Sequence, residues 1–252
     1  NIPADCDAQL VDVTDEGFAL SLMGPRARDV LSSVTGDDVS NEGFPFGHCH
    51  EITIAGATVR ALRITYAGEL GWELHGEKGD ALAVYDALMA AGEPHGISNA
   101  GYRAIESLRL EKGFRAWAAD IGPDYSPFES DLGWAVKLKS NTPFMGREAA
   151  AEKKANVQNK LLACFTVDGV DNVLLGRETI YRNGERVGWL SSAGWGYTLQ
   201  TNIGFGYVRN ADGVTEDYLL AGEYELEVAT QRIPCSIPLK PLYDPDMSRV
   251  KV

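Results

Sequence analysis

One stretch of this 252-residue chain concentrates chemistry: Tyr66-Ala67-Gly68-Glu69-Leu70-Gly71-Trp72-Glu73. Leu70, Trp72 and Leu74 alternate with Glu69, Gly71 and Glu73, the period-two pattern of a strand with one apolar and one polar face. Two glycines beside the carboxylates leave room for a flat ligand to approach the backbone. A carboxylate on such a face can accept two parallel hydrogen bonds from a heterocycle with adjacent N–H donors, such as a pterin or guanine edge. The same pattern also describes a solvated strand face, its commoner use, and the residues alone leave both readings open.

Other combinations carry less. His48-Cys49-His50 has metal-binding side chains, but neighbouring strand residues point to opposite faces and no second ligand pair follows at zinc spacing, so these read as ordinary strand residues. No Gly-x-Gly-x-x-Gly opens a helix after a strand, and neither a phosphate-binding loop nor a Gly-x-Ser-x-Gly elbow occurs. Gly194-Trp195-Gly196 reads as a turn between strands. Glu106 and Arg109, three apart on a helix, read as an ion pair.

The elements that must position these residues are legible from periodicity. Phe18–Met23 reads as a strand, with Gly24-Pro25 opening a short helix; Ile52–Ile54 and Val59–Ile64 flank Ala55-Gly56 as a hairpin. Asp80–Ala91 reads as a helix, and a second helix is capped by Ser98 or Asn99, with Ala104, Ile105, Leu108 and Leu110 on its apolar side and Gly113 at its end. Leu108 is thus expected on a core-facing stripe. Trp134–Leu138 reads as a strand and Gly146–Lys154 as a helix. Beyond a polar stretch at 152–156, strand signals dominate: Leu161–Val167, a hairpin at Asn183-Gly184, Ile203–Val208, Tyr224–Ala229 and Ile233–Ile237. The fold class is α+β: antiparallel sheets with helices, followed by a C-terminal all-β barrel, divided at 155/156.

Hydrophobic residues at 44% and charged residues at 23% suit a globular domain, and exclude disorder and coiled coil. A net charge of −13 repels phosphate backbones and anionic lipid, which excludes nucleic acid and membrane as partners. No apolar run approaches the roughly 18–20 residues that span a bilayer. The opening Asn1-Ile2-Pro3-Ala4-Asp5 has no signal-peptide character, and a missing upstream part is expected because the chain does not begin with Met. Cys6, Cys49, Cys164 and Cys235 lack paired spacing and read as reduced thiols, placing the protein in the cytoplasm, or the mitochondrial matrix if eukaryotic.

Five segments in register extend this reading: Leu22-Met23-Gly24-Pro25-Arg26-Ala27, Tyr66 through Leu74, Ser107-Leu108-Arg109-Leu110-Glu111-Lys112-Gly113, Phe144-Met145-Gly146-Arg147-Glu148 and Leu242-Tyr243-Asp244-Pro245. Together they resemble the folate-dependent aminomethyltransferase family. That family includes the glycine-cleavage T-protein and the tetrahydrofolate-binding C-terminal parts of dimethylglycine and sarcosine dehydrogenases. The resemblance implies a three-domain, clover-like fold around a folate channel, of which residues 1–155 are the later part of the folate-binding domain and 156–252 the β-barrel domain. It implies that Glu73 grips the pterin, with Tyr66 beside it, and that the catalytic Asp of the family lies upstream of this chain. Two departures, Ile105 in place of an Arg and Phe114 in place of a hydroxylated aromatic contact, resemble the dehydrogenase-linked branch. Trp117 is then a pocket wall or a core residue, and Arg249 (or, less readily, Arg232) a partner for the anionic folate tail.

The implied activity is one-carbon transfer to tetrahydrofolate from a small methylated amine or a glycine-derived aminomethyl group. FAD is expected only on a separate upstream domain. A free-standing T-protein, with a lipoyl carrier protein as partner, is the alternative; a non-catalytic folate-binding or regulatory relative is the alternative of another class. No metal is implied.

Overall fold

The computed structural model describes Ile2 and residues 5–252; Asn1, Pro3 and Ala4, part of the stretch read above for signal-peptide character, lie outside the described residues. The chain divides into two compact units, Asn1–Ala100 with Met247–Val252, and Gly101–Asp246. The first contains β1 (Gly17–Met23), α1 (Ala27–Ser32), β2 (Cys49–Ile54), β3 (Ala57–Leu62), β4 (Gly71–Glu77) and α2 (Ala81–Gly92). Its four strands form an antiparallel sheet in the order β1-β4-β3-β2. The β2–β3 turn is Ala55-Gly56, both with positive φ (51° and 82°), the geometry that matches the twist of a two-residue hairpin.

Alternation along the strands makes this sheet two-faced. Leu22, Ile52, Ile54, Val59, Ala61, Trp72 and Leu74 belong to one buried cluster with Val30 and Leu31 of α1 and Val84 and Leu88 of α2. Ser21, Glu73 and His75 lie on the opposite face, with Glu73 paired to Ser21 on one side and Leu62 on the other. The buried face fixes the register, because a one-residue slip would turn Trp72 outward and Glu73 into the core.

The second unit contains α3 (Tyr102–Lys112), α4 (Arg147–Ala155), β5 (Lys160–Val167), β6 (Thr179–Arg182), β7 (Glu185–Gly196), β8 (Thr201–Arg209), α5 (Glu216–Leu220), β9 (Tyr224–Val228) and β10 (Gln231–Cys235). Its strands run β10-β9-β6-β7-β8-β5, all antiparallel neighbours. Thr166 of β5 and Ser236, just past β10, exchange both main-chain hydrogen bonds (2.9 and 3.0 Å), which ties the two edges together at one point. One side of this sheet encloses Phe165, Ile180, Leu190, Val208 and Leu226. The other carries Leu162, Phe205 and Tyr207, which cluster with Leu110 of α3.

Three local expectations change. Trp134–Leu138 forms no strand; a short 3-10 turn, Gly133–Ala135, leaves Trp134 exposed, since a period-two run becomes a strand only where a partner edge meets it. The N-cap of α3 is Gly101, and Asn99 is engaged elsewhere, donating from its amide to the Tyr85 hydroxyl at 2.7 Å. Gly194-Trp195-Gly196 is no turn but the end of β7. A Cβ at Gly194 would meet Leu110 Cδ1 at 3.1 Å, and one at Gly196 would meet Glu111 Oε1 at 2.9 Å, so these glycines let α3 settle onto the strand.

Candidate functional site

In the first unit Glu73 stands on the open face of β4, between Trp72 and Leu74, both fully buried on the other face. Two buried neighbours fix its backbone while a third of its side chain stays exposed (33%). Its Oε2 lies 3.6 Å from Nε2 of His75, two residues on and on the same face. Among the described residues no backbone N–H or hydroxyl donates to this carboxylate. An ionised carboxylate has about four acceptor positions, so most of its capacity is available to a ligand. His75 was not singled out in the sequence, although the period-two rule that places Glu73 places it too.

Tyr66 is half-buried in the turn that leads into β4. Gly68 has φ 78°, and its N–H donates to Thr65 Oγ1 at 3.1 Å, which closes the turn. Gly71 does not provide an approach for a flat ligand. A Cβ there would sit 2.6 Å from Met23 Cγ, so the glycine makes room for the Met23 side chain, whose sulfur lies 3.6 Å from Thr65 Oγ1. Arg249 is placed by the C-terminal segment beside Glu69, at 3.8 Å, with over half its side chain exposed. Glu69 is thus an ion-pair partner, distinct in role from Glu73. Arg232, on β10 of the second unit, lies over the Tyr181 ring at 3.8 Å and reaches Glu225 at 3.9 Å.

In the second unit, Phe114 and Trp117 follow α3 in a tight loop. Phe114 is half-buried; Trp117 is 71% exposed, which settles it as a surface residue within its unit rather than a core tryptophan. The loop is organised from beneath by a charged network. Arg109, fully buried, donates through Nη1 to Asp120 Oδ2 (2.7 Å) and the Phe114 carbonyl (3.2 Å), and through Nη2 to Glu106 Oε2 (2.8 Å). Asp120, also fully buried, further accepts from the Ala116 N–H (2.9 Å) and from the hydroxyls of Ser191 (2.5 Å) and Ser192 (2.6 Å).

Consecutive strand residues normally face opposite ways; a bulge in β7 between Leu190 and Ser192 brings both serines to one carboxylate. Four donors saturate Asp120, so it holds structure and has nothing left for a substrate. The rest of α3 is fastened similarly. Glu111 Oε1 accepts from Thr198 and Leu199 N–H (2.7 and 2.9 Å), and buried Lys112 reaches Asp244 Oδ2 at 2.8 Å. Burial pushes the Cys164 and Cys235 thiols up to about 12, so both remain protonated at neutral pH and neither is a nucleophile.

The GCVT N-terminal domain family matches residues 1–140, and the glycine-cleavage T-protein C-terminal barrel domain family matches residues 160–244. The chain belongs to the glycine-cleavage T-protein family. Within it, mouse mitochondrial sarcosine dehydrogenase is 44% identical over 96% of this chain, and human mitochondrial dimethylglycine dehydrogenase 39% over 80%. The chain spans about a quarter of each of these curated relatives (27% and 23%). The crystal structure of glycine cleavage system aminomethyltransferase T from Bartonella henselae superposes with a TM-score of 0.76 at 25% identity, covering 91% of this chain and 60% of that one. The fold is therefore that of the aminomethyltransferase. The α3 run that helped signal the T-protein family proves to be the buried charged network, whereas the Tyr66–Leu74 run carries the open carboxylate.

Proposed function

We propose that this chain is the folate-binding part of a dimethylglycine- or sarcosine-dehydrogenase-like protein, and that Glu73 holds the pterin of tetrahydrofolate. The observation that carries this reading is the Glu73 carboxylate itself: rigidly backed, on an open sheet face, and with acceptor positions that take no backbone or hydroxyl hydrogen bond among the described residues. The amino-pyrimidinone end of a reduced pterin presents N–H and NH₂ donors side by side, which is the complement of a carboxylate. The residues present therefore fit the group. Bound tetrahydrofolate supplies nitrogen nucleophiles for a one-carbon unit. The chain supplies position, with Tyr66 beside the ring. Arg249, partly neutralised by Glu69, offers its exposed guanidinium to the anionic folate tail.

The amine substrate, an upstream flavin domain and the catalytic carboxylate belong to the whole protein in this reading, whose length the chain covers only in part. The limits of the matched families, 140 and 160, support a module boundary near 155. The free thiols of Cys6, Cys49, Cys164 and Cys235 support a reducing compartment. Among the described residues no helix is long and apolar enough to cross a membrane. Calorimetric titration with tetrahydrofolate tests the central claim. Glu73→Gln keeps the shape but loses the charge and turns one acceptor into a donor, so affinity falls by about 2–3 kcal/mol, roughly 30- to 150-fold. Equal affinity in parent and variant would remove Glu73 from the site.

A further inference from the structure

His75 shares the open face of β4 with Glu73 and stands two residues beyond it. Antiparallel pairing sets Ala19 of β1 on one side of it and Arg60 of β3 on the other. An alanine side chain offers no polar atom, and an arginine offers only donors. Among the described residues, the polar contact of this imidazole is the one to Glu73, Nε2 to Oε2 at 3.6 Å. No lysine, arginine or other histidine among them stands within ion-pair distance of the same carboxylate. Each side chain is thus the near partner of the other, on a face that leaves both partly open, 33% exposed for Glu73 and 41% for His75.

A separation of 3.6 Å is too long for a formed hydrogen bond, yet close enough for a ring N–H to attract a carboxylate oxygen. A neighbouring carboxylate selects the tautomer with its hydrogen on Nε2. Glutamate turns about several side-chain bonds, and ordering it when a ligand arrives weakens binding. A donor further along the strand favours the rotamers that tilt Oε2 along β4, so part of that ordering is already done. The contact draws on one of about four acceptor positions and leaves both oxygens able to meet paired N–H donors. His75 therefore restricts the carboxylate without competing for its ligand.

We propose that His75 is the positioning residue for Glu73: its ring N–H holds the carboxylate in the orientation that receives the pterin. The proposal rests on the assignment of Glu73 to tetrahydrofolate. His75 acts through Glu73 and is not itself a catalytic residue. Its side chain bears little of the fold, because it packs in no buried cluster, so its removal acts on binding rather than on stability.

Calorimetric titration of the protein with tetrahydrofolate is the test. His75→Leu removes the N–H at similar bulk and should weaken binding about 3- to 10-fold, with the melting temperature within about 2 °C of the parent. His75→Gln returns a donor of similar reach and should bring affinity back to within about twofold of the parent. In a Glu73→Ala background, His75→Leu should change affinity by less than about 1.5-fold, because the group it acts through is gone. Parental affinity in His75→Leu overturns the proposal. So does a loss that His75→Gln does not recover, or one that persists undiminished without Glu73. Glu73→Gln keeps the two claims apart. Unchanged affinity in that variant removes Glu73 from the site and the role of His75 with it, whereas a loss there beside parental affinity in His75→Leu overturns the role of His75 alone.

Discussion

Glu73 and Asp120 are both acidic residues close to glycine and an aromatic residue, and their surroundings are opposites. Asp120 has no exposed surface, and four donors consume both of its oxygens. Glu73 keeps a third of its side chain in solvent and has one imidazole nearby, at 3.6 Å. A buried charge is tolerated only when its partners are complete, and completeness leaves no capacity for a ligand. An open carboxylate on a rigid strand costs the fold little and retains that capacity. The difference separates a residue that builds the loop after α3 from one available for recognition.

The largest effect should come from breaking the saturated side of this comparison. Asp120→Ala leaves buried Arg109 with Glu106 as a carboxylate partner, takes the acceptor from Ser192 and the Ala116 N–H, and leaves Ser191 only the Phe205 carbonyl. We expect a loss of about 3–5 kcal/mol in denaturant unfolding. A loss under 1 kcal/mol would show that water reaches the site and that the network is not closed. On the open side, Glu73→Gln should leave stability within about 0.5 kcal/mol of the parent while weakening tetrahydrofolate binding as stated above. If instead stability dropped and affinity held, the roles assigned to the two carboxylates would be reversed.

Tyr207 sharpens the comparison by pH. Its hydroxyl donates to the Asp120 carbonyl at 2.8 Å, its ring stacks on Tyr125 at 4.1 Å, and burial pushes the phenol from 10 up to about 12. Above pH 10 the unfolded chain releases this proton, whereas the folded chain holds it until about pH 12. Stability is therefore intact below pH 10 and falls through that window, by about 2–3 kcal/mol. Urea midpoints at a series of alkaline pH values should show the decline, and Tyr207→Phe should flatten it. Identical slopes in parent and variant would assign the alkaline transition to other groups.

Much of the fold was legible because it rests on local rules. Period-two alternation located β1, β4, β5 and β8, and the pairs Ala55-Gly56 and Asn183-Gly184 located two hairpins. The alternating run set Glu69 and Glu73 together on one polar face, and the family resemblance rather than the pattern singled out Glu73. What could not be read was the partnership of α3. Arg109, Glu111 and Lys112 look like the solvated side of a helix, and their partners are the loop at Asp120, the main chain at Thr198 and Leu199, and Asp244. Nothing local marks such distant pairings. The bulge that aims Ser191 and Ser192 at one oxygen is equally silent, because it arises from the mismatch of β7 with β8.

Leu108 measures the consequence of that misreading at the smallest scale. A helix with an apolar stripe should bury Leu108, and its removal would cost about 2–5 kcal/mol. In the structure the buried side of α3 instead presents Ser107, Arg109, Leu110, Glu111 and Lys112, and Leu108 is only half-buried. Its truncation exposes or vacates about half the area of a core leucine and leaves little cavity, because solvent already reaches it. Leu108→Ala should therefore cost roughly 1 kcal/mol, partly offset by the better helix propensity of alanine, with the denaturant slope unchanged. A measured cost above about 3 kcal/mol would mean that α3 is rotated to bury Leu108, and a helix so rotated could not also keep Arg109 against Asp120.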